Sequence, residues 1–199
     1  MNRISGWNPA TNNYHSTYGV GGKRKFYLEY SYYHNMRTRA TNPNYRKLYP
    51  TYEECEMCQE WGDFQRFAKW CWGQKGFGED NICLDKDILF PKNKIYHPDY
   101  CVFIPVAINS FMTFRRSNQA LPTGVSWSES EGKYKVYCSQ LNGKNKTLGR
   151  FDCADEAHEV YKNFKVGMAK LLAESYEDIL DDRVIAVLSD FKIEKYLEK

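Results

Sequence analysis

The densest run of chemically competent side chains lies mid-chain, in LDKDILFPKNKIYHPDYCVFIP, residues 84–105. Asp85 and Asp87 flank Lys86, and Asn93 and His97 follow shortly after. Two carboxylates with an amide oxygen and an imidazole nearby form a donor set for a hard divalent cation such as Mg2+. A cation held there could polarise a phosphate ester and activate water. The same residues also suit a surface turn, whose local ion pairs contribute little. Lys86 sits awkwardly in a hydrolytic site. With a reference pKa of about 10.4 and a carboxylate on either side, it stays charged and is a poor proton acceptor.

Other metal-type spacings are weaker. Cys55 and Cys58 form a Cys-x-x-Cys pair, but no second pair follows, and only Cys71, Cys83, Cys101 and His97 are near enough in sequence to complete a set. The expectation is buried thiols rather than zinc. Seven cysteines in a chain that opens without an apolar leader predict reduced thiols and a cytoplasmic protein. His34 falls in an aromatic helical run and reads as packed or capping. His158 reads as solvated, and His15 has no assignable role.

These residues must be positioned by elements of both kinds. From Phe26 the pattern becomes helical, with Tyr30, Tyr33 and Arg37 recurring at spacings of three and four until two prolines break it. A second helix, over EWGDFQRFAKWCW, carries Trp61, Phe64, Phe67, Ala68 and Cys71 as one apolar stripe. The central stretch reads as two strands around a polar turn, followed by a short helix with a basic end at Arg115 and Arg116. Beyond Leu121 three strands are predicted, over GVSWSE, KYKVYCSQL and KTLGRF. Alternation puts Tyr134, Val136 and Cys138 on one face of the second strand, and Lys133, Lys135, Tyr137 and Ser139 on the other. Asn142-Gly143 marks the turn before the third strand. A long helix follows, with Asp152 as the expected N-cap, then a last amphipathic helix. The fold class is therefore α+β. The expected divisions are a basic mobile arm at 1–25, a helix-and-hairpin region at 26–118, a three-stranded domain at 121–175 and a C-terminal helix at 176–199.

The three-stranded segment, through GVSW, GKYKVY, LGRFD and ADEAHEVY, resembles the plant APETALA/ethylene-response-factor DNA-binding domain in the form carried by phage and mobile-element endonucleases. The part before it, through YSYYHNMRTR, CQEWGDFQRFAKW, LDKDIL and NKIYHPDYCVFIPVAIN, resembles phage HNH homing-type endonucleases. The first resemblance implies a sheet that lies in the major groove of double-stranded DNA with one helix behind it. With the alternation it nominates Arg115, Arg116, Ser126, Trp127, Lys133, Lys135, Tyr137, Ser139, Lys146, Thr147 and Arg150 as DNA contacts. Where the plant domains carry arginine and tryptophan, this chain has Ser126, Ser139 and Thr147, which points to looser or shape-based readout.

The second resemblance implies a metal-dependent DNA endonuclease or nickase. Asp85 stands at the metal-binding acid, Lys86 at the general-base histidine, and Cys101 or Tyr100 at the later asparagine. Two functional readings follow. One is a rebuilt site with Asp85, Lys86 and His97 in catalysis and Asp85, Asp87, His97 and Asn93 around Mg2+. The other is an inactive relative that binds DNA or a host or phage protein, as a regulator or an inhibitor of a host system. The chain's charge agrees with a polyanionic partner. Among the 199 residues the net charge is +3, yet residues 1–50 hold eight cations against Glu29 alone, a net of +7. No apolar run is long enough to span a bilayer, and a membrane partner is not expected.

Overall fold

The computed structural model describes residues 5–114, 121–139 and 145–193. It mixes helices with small sheets, an α+β arrangement, and it divides into two compact units between Pro105 and Val106. Among the described residues no helix is long and apolar enough to cross a membrane.

The first unit opens with two hairpins where a mobile arm was expected. β1 (Trp7–Asn8) pairs antiparallel with β2 (Asn13–Tyr14), and β3 (Thr17–Val20) with β4 (Lys23–Phe26). The Trp7 and Tyr14 rings lie 5.0 Å apart, and the Gln65 side chain bonds both the N–H and the carbonyl of Tyr14 at 2.6 and 2.9 Å. Gly21 and Gly22, at φ +55° and +74°, make the two-residue turn between β3 and β4. Both positions need positive φ, the left-handed requirement of a primed hairpin turn.

Helix α1 (Leu28–Thr41) buries Glu29, Tyr33, Met36 and Ala40, a stripe at helical spacing. Asn42 ends it and caps α2 (Pro43–Leu48), accepting from the N–H groups of Asn44 and Tyr45 with Pro43 at the first turn. β5 (Glu56–Met57) leads to α3 (Phe64–Trp72), which Asp63 caps through the Gln65 N–H at 2.8 Å. Trp61, Phe67, Ala68 and Cys71 are buried as their stripe predicts. They join Tyr33, Trp70 and Phe103 in an aromatic core.

The central stretch is a hairpin with a long connection. β6 (Ile82–Asp85) pairs antiparallel with β8 (Val102–Pro105), while β7 (Ile95–Tyr96), between them in sequence, pairs parallel with β5. The Tyr32 hydroxyl donates to the Ile82 carbonyl at 2.7 Å and ties α1 to β6.

The second unit begins with α4 (Val106–Met112), so this short helix belongs with the sheet rather than with the hairpin before it. The sheet is β9 (Val125–Ser128), β10 (Lys133–Ser139) and β11 (Asn145–Phe151), with β10 central and all pairs antiparallel. Helix α5 (Ala154–Ser175) packs on all three strands, and α6 (Asp182–Ser189) packs on α5. Val125 and Val136 from the sheet, Ala157, Met168 and Leu172 from α5, and Val184 and Leu188 from α6 are buried. The N-cap of α5 is Cys153 rather than Asp152, with no side-chain capping bond, and the Asp152 carboxylate, one residue earlier, accepts from the Lys133 ammonium.

Candidate nucleic-acid interface and the central hairpin

The sheet of the second unit has one covered and one open face, and strand register sorts the expected contacts between them. Lys133 opposes Ser128 and Lys135 opposes Ser126 across β9; Lys135 opposes Arg150, Tyr137 opposes Thr147 and Ser139 opposes Asn145 across β11. These form the open row, with Tyr137 43% exposed at its centre. Thr147 and Arg150 are three residues apart and would face opposite ways on a regular strand. The register slips between Val136 and Tyr137, leaving Leu148 as an extra residue, and this bulge brings both to the open side.

Two expected contacts belong to the other face. Lys146 opposes Cys138, and its ammonium sits over the Phe164 ring of α5 at 5.6 Å. Trp127 opposes Tyr134, ring to ring at 4.8 Å, in the Val125–Val136 row. Arg115, Arg116 and the Asn142-Gly143 turn lie outside the described residues.

The cations of the open row already have partners. The Glu131 carboxylate accepts from Lys135 at 2.8 Å and from the Arg150 guanidinium, and Lys133 pairs with Asp152. The bonds from Lys135 and Arg150 hold the exposed Glu131 carboxyl below its usual range. Surface pairs of this kind are screened by salt and contribute little to stability.

The central hairpin is more tightly built than its sequence suggests. Asp85 Oδ1 accepts from the N–H groups of Asp87 and Ile88 at 2.8 and 2.7 Å, closing the turn after β6. Burial pushes the Asp85 carboxyl up, and the two N–H bonds pull it partly back. Lys86 is 6% exposed. Its ammonium donates to Asp87 Oδ1 at 2.6 Å and to the Asn93 carbonyl at 2.5 Å, and it lies 5.9 Å from the centre of the Tyr96 ring. The Asn93 amide donates to the Lys86 and Ile95 carbonyls and accepts from the Ile95 N–H. His97 Nδ1 faces Asp99, 3.2 Å from its backbone nitrogen and 3.5 Å from its carboxylate. Tyr100 packs on the His97 and Phe90 rings, and the Cys101 thiol is fully buried and pushed up by burial.

Asp85, Asp87, Asn93 and His97 are thus partly engaged in bonds of the chain itself. Asp85 Oδ1, Asp87 Oδ1 and the Asn93 side-chain oxygen are each bonded within the chain, and the Lys86 ammonium sits against Asp87 and the Asn93 carbonyl. Among the described residues no cluster of three or more His, Cys, Asp or Glu side chains could hold a metal ion. Of the candidate Cys-x-x-Cys pair, Cys55 is fully buried and Cys58 half-buried, and burial raises both thiols.

Three features escaped the sequence reading. His158 bonds the Thr123 carbonyl at 2.9 Å and stacks on Tyr161, so it is structural rather than solvated. Lys165 of α5 is 5% exposed at the edge of a cleft of about 910 Å³ in the second unit. Its ammonium donates to the Phe111 carbonyl at 2.7 Å and lies over the Phe111 and Phe114 rings. Burial lowers its pKa to about 8. A lysine inside an amphipathic helix gives no local sign of burial, since its stem can always snorkel. In the first unit, Glu29 is fully buried, with one carboxylate oxygen on the Gly6 N–H at 2.7 Å and the other without a partner.

No protein-family model, curated protein or solved structure matches the chain.

Proposed function

We propose that the chain is a duplex-DNA-binding protein that contacts DNA with the open face of its three-stranded sheet, and that the central hairpin is structural rather than a cleavage centre. The observation that supports binding is the asymmetry of the sheet. Helix α5 covers one face; the other presents Lys133, Lys135, Arg150 and Tyr137 among serine and threonine, with no apolar cluster to hide. Short hydroxyl side chains and cations suit phosphate contact and shape-based readout better than bidentate base recognition. The non-catalytic half of the proposal is supported by Lys86, which stands where a proton acceptor is needed and is instead a buried donor to Asp87 and Asn93.

Gel shifts with a duplex at low salt test the first half. Lys135→Ala with Arg150→Ala should weaken binding about tenfold or more, while Asp85→Ala leaves it unchanged; removing a cation that meets phosphate also flattens the salt dependence. Binding indifferent to both sheet cations would refute it. Supercoiled plasmid tests the second half: it should stay intact with Mg2+ or Mn2+. Nicking or linearisation that disappears in Asp85→Ala would establish an HNH-type endonuclease instead.

A further inference from the structure

Strand β4 reads Lys-Arg-Lys-Phe, and all four residues are exposed. Among the described residues no carboxylate lies within ion-pair distance of Lys23, Arg24 or Lys25, and Glu29, the sole acid of residues 1–50, is fully buried. These cations differ from Lys133, Lys135 and Arg150 on the open row of the sheet, each of which is paired with a carboxylate. Alternation puts Arg24 and Phe26 on one face of β4. Opposite Arg24 is Gly19, beside which a side chain would meet open space. Phe26 is 51% exposed and begins an aromatic row along the outer side of α1. Its ring lies 5.0 Å from Tyr30 and 6.1 Å, nearly parallel, from the exposed His34. Arg37, also exposed, follows one turn further on.

We infer that this hairpin and helix face form a second, separate binding site, for single-stranded DNA. Sequence-tolerant strand binding needs cations that follow the backbone and rings whose faces accept bases, and both are present here side by side. A duplex keeps its base faces hidden in the stack, so exposed rings favour an unpaired strand. A base sandwiched between two rings needs them roughly 7 Å apart, twice the ~3.4 Å rise of a stack. The rings of this row are closer than that, so a base must stack on the outer face of Phe26 while Lys23, Arg24 and Lys25 take adjacent phosphates. The site lies wholly in the first unit and does not rest on the sheet.

The test is fluorescence anisotropy of the full chain with a labelled oligo-dT of about 15 nucleotides, within the usual site-size range. One stacked base contributes about 1–3 kcal/mol, so Phe26→Ala should weaken binding roughly 5- to 150-fold. The triple change Lys23→Gln, Arg24→Gln, Lys25→Gln should weaken it at least about tenfold. Phe26→Trp should retain affinity and show, when oligo-dT is added, indole quenching greater than that of the five tryptophans of the wild type. That signal reports stacking and not mere folding. Lys135→Ala with Arg150→Ala should loosen a duplex and leave oligo-dT unaffected, which separates this site from the sheet. Oligo-dT that fails to bind, or binds equally to wild type, Phe26→Ala and the triple variant, would overturn the inference. So would tighter binding of an equal-length oligo-U, which would assign the surface to RNA.

Discussion

Asp85 illustrates how a side chain suited to metal chemistry can serve the backbone instead. Its Oδ1 holds the Asp87 and Ile88 N–H groups, and burial raises its carboxyl. A raised carboxyl binds its proton more tightly in the folded chain than in the unfolded one. Stability contributed at this position therefore falls as pH rises from the ordinary carboxylate range through the raised folded value. Asparagine keeps the accepting oxygen and has no charge to bury. Asp85→Asn should then be at least as stable as the wild type at pH 7, with the difference vanishing in acid, where both forms are neutral. Asp85→Ala leaves two N–H groups without an acceptor and should cost about 1–3 kcal/mol. Urea unfolding at pH 7 and near pH 3.5 checks both. An asparagine variant much less stable at pH 7 would mean that the ionised carboxylate itself is needed.

At the scale of elements, the approach to β9 depends on a glycine. Gly124 has φ +84°, and a Cβ there would fall 2.3 Å from the Tyr161 ring of α5. Gly124→Ala should lose roughly 2–4 kcal/mol from backbone strain and overpacking together. Adding Tyr161→Leu should recover the steric part and leave the strain; an alanine variant unfolding at the wild-type midpoint would discount the contact. The larger elements were legible because burial repeats along them. The α3 stripe, the β10 alternation and the length of α5 each show in the order of apolar residues. What was hidden has no such repeat. One inserted residue, Leu148, decides which way Thr147 and Arg150 face, and nothing in its type announces a bulge. The two-residue pairing of β5 with β7 joins distant segments without a local pattern. The N-terminal hairpins were concealed by their own turn residues, since glycine and asparagine read equally as turns or as a mobile arm. The central stretch was legible as a set of residue types, but spacing does not reveal that one oxygen of Asp85 is bonded to backbone N–H groups and one of Asp87 to Lys86.

At the scale of the whole molecule, charge is divided unevenly. Of the net +3, residues 1–50 carry +7, leaving −4 on residues 51–199. The sheet belongs to the acidic part, and the cations of its open row are held by Glu131 and Asp152. Affinity for DNA rises with the number of counterions released from phosphate, and a cation already neutralised by a carboxylate releases fewer. The sheet should therefore bind duplex weakly, with a shallow dependence on salt. Glu131 is the restraint, because one carboxylate holds both Lys135 and Arg150 and opposes phosphate directly. Glu131→Gln frees both cations without changing the shape of the turn. Duplex affinity should rise several-fold at low salt, and the slope of log K against log salt should steepen by about 1–2. The comparison is a salt titration of wild type and variant with the same duplex. Weaker binding in the variant would mean that Glu131 positions Lys135 and Arg150 for DNA rather than competing with it. An unchanged slope would mean that these cations never meet phosphate, and the sheet would lose its assignment as the duplex-binding face.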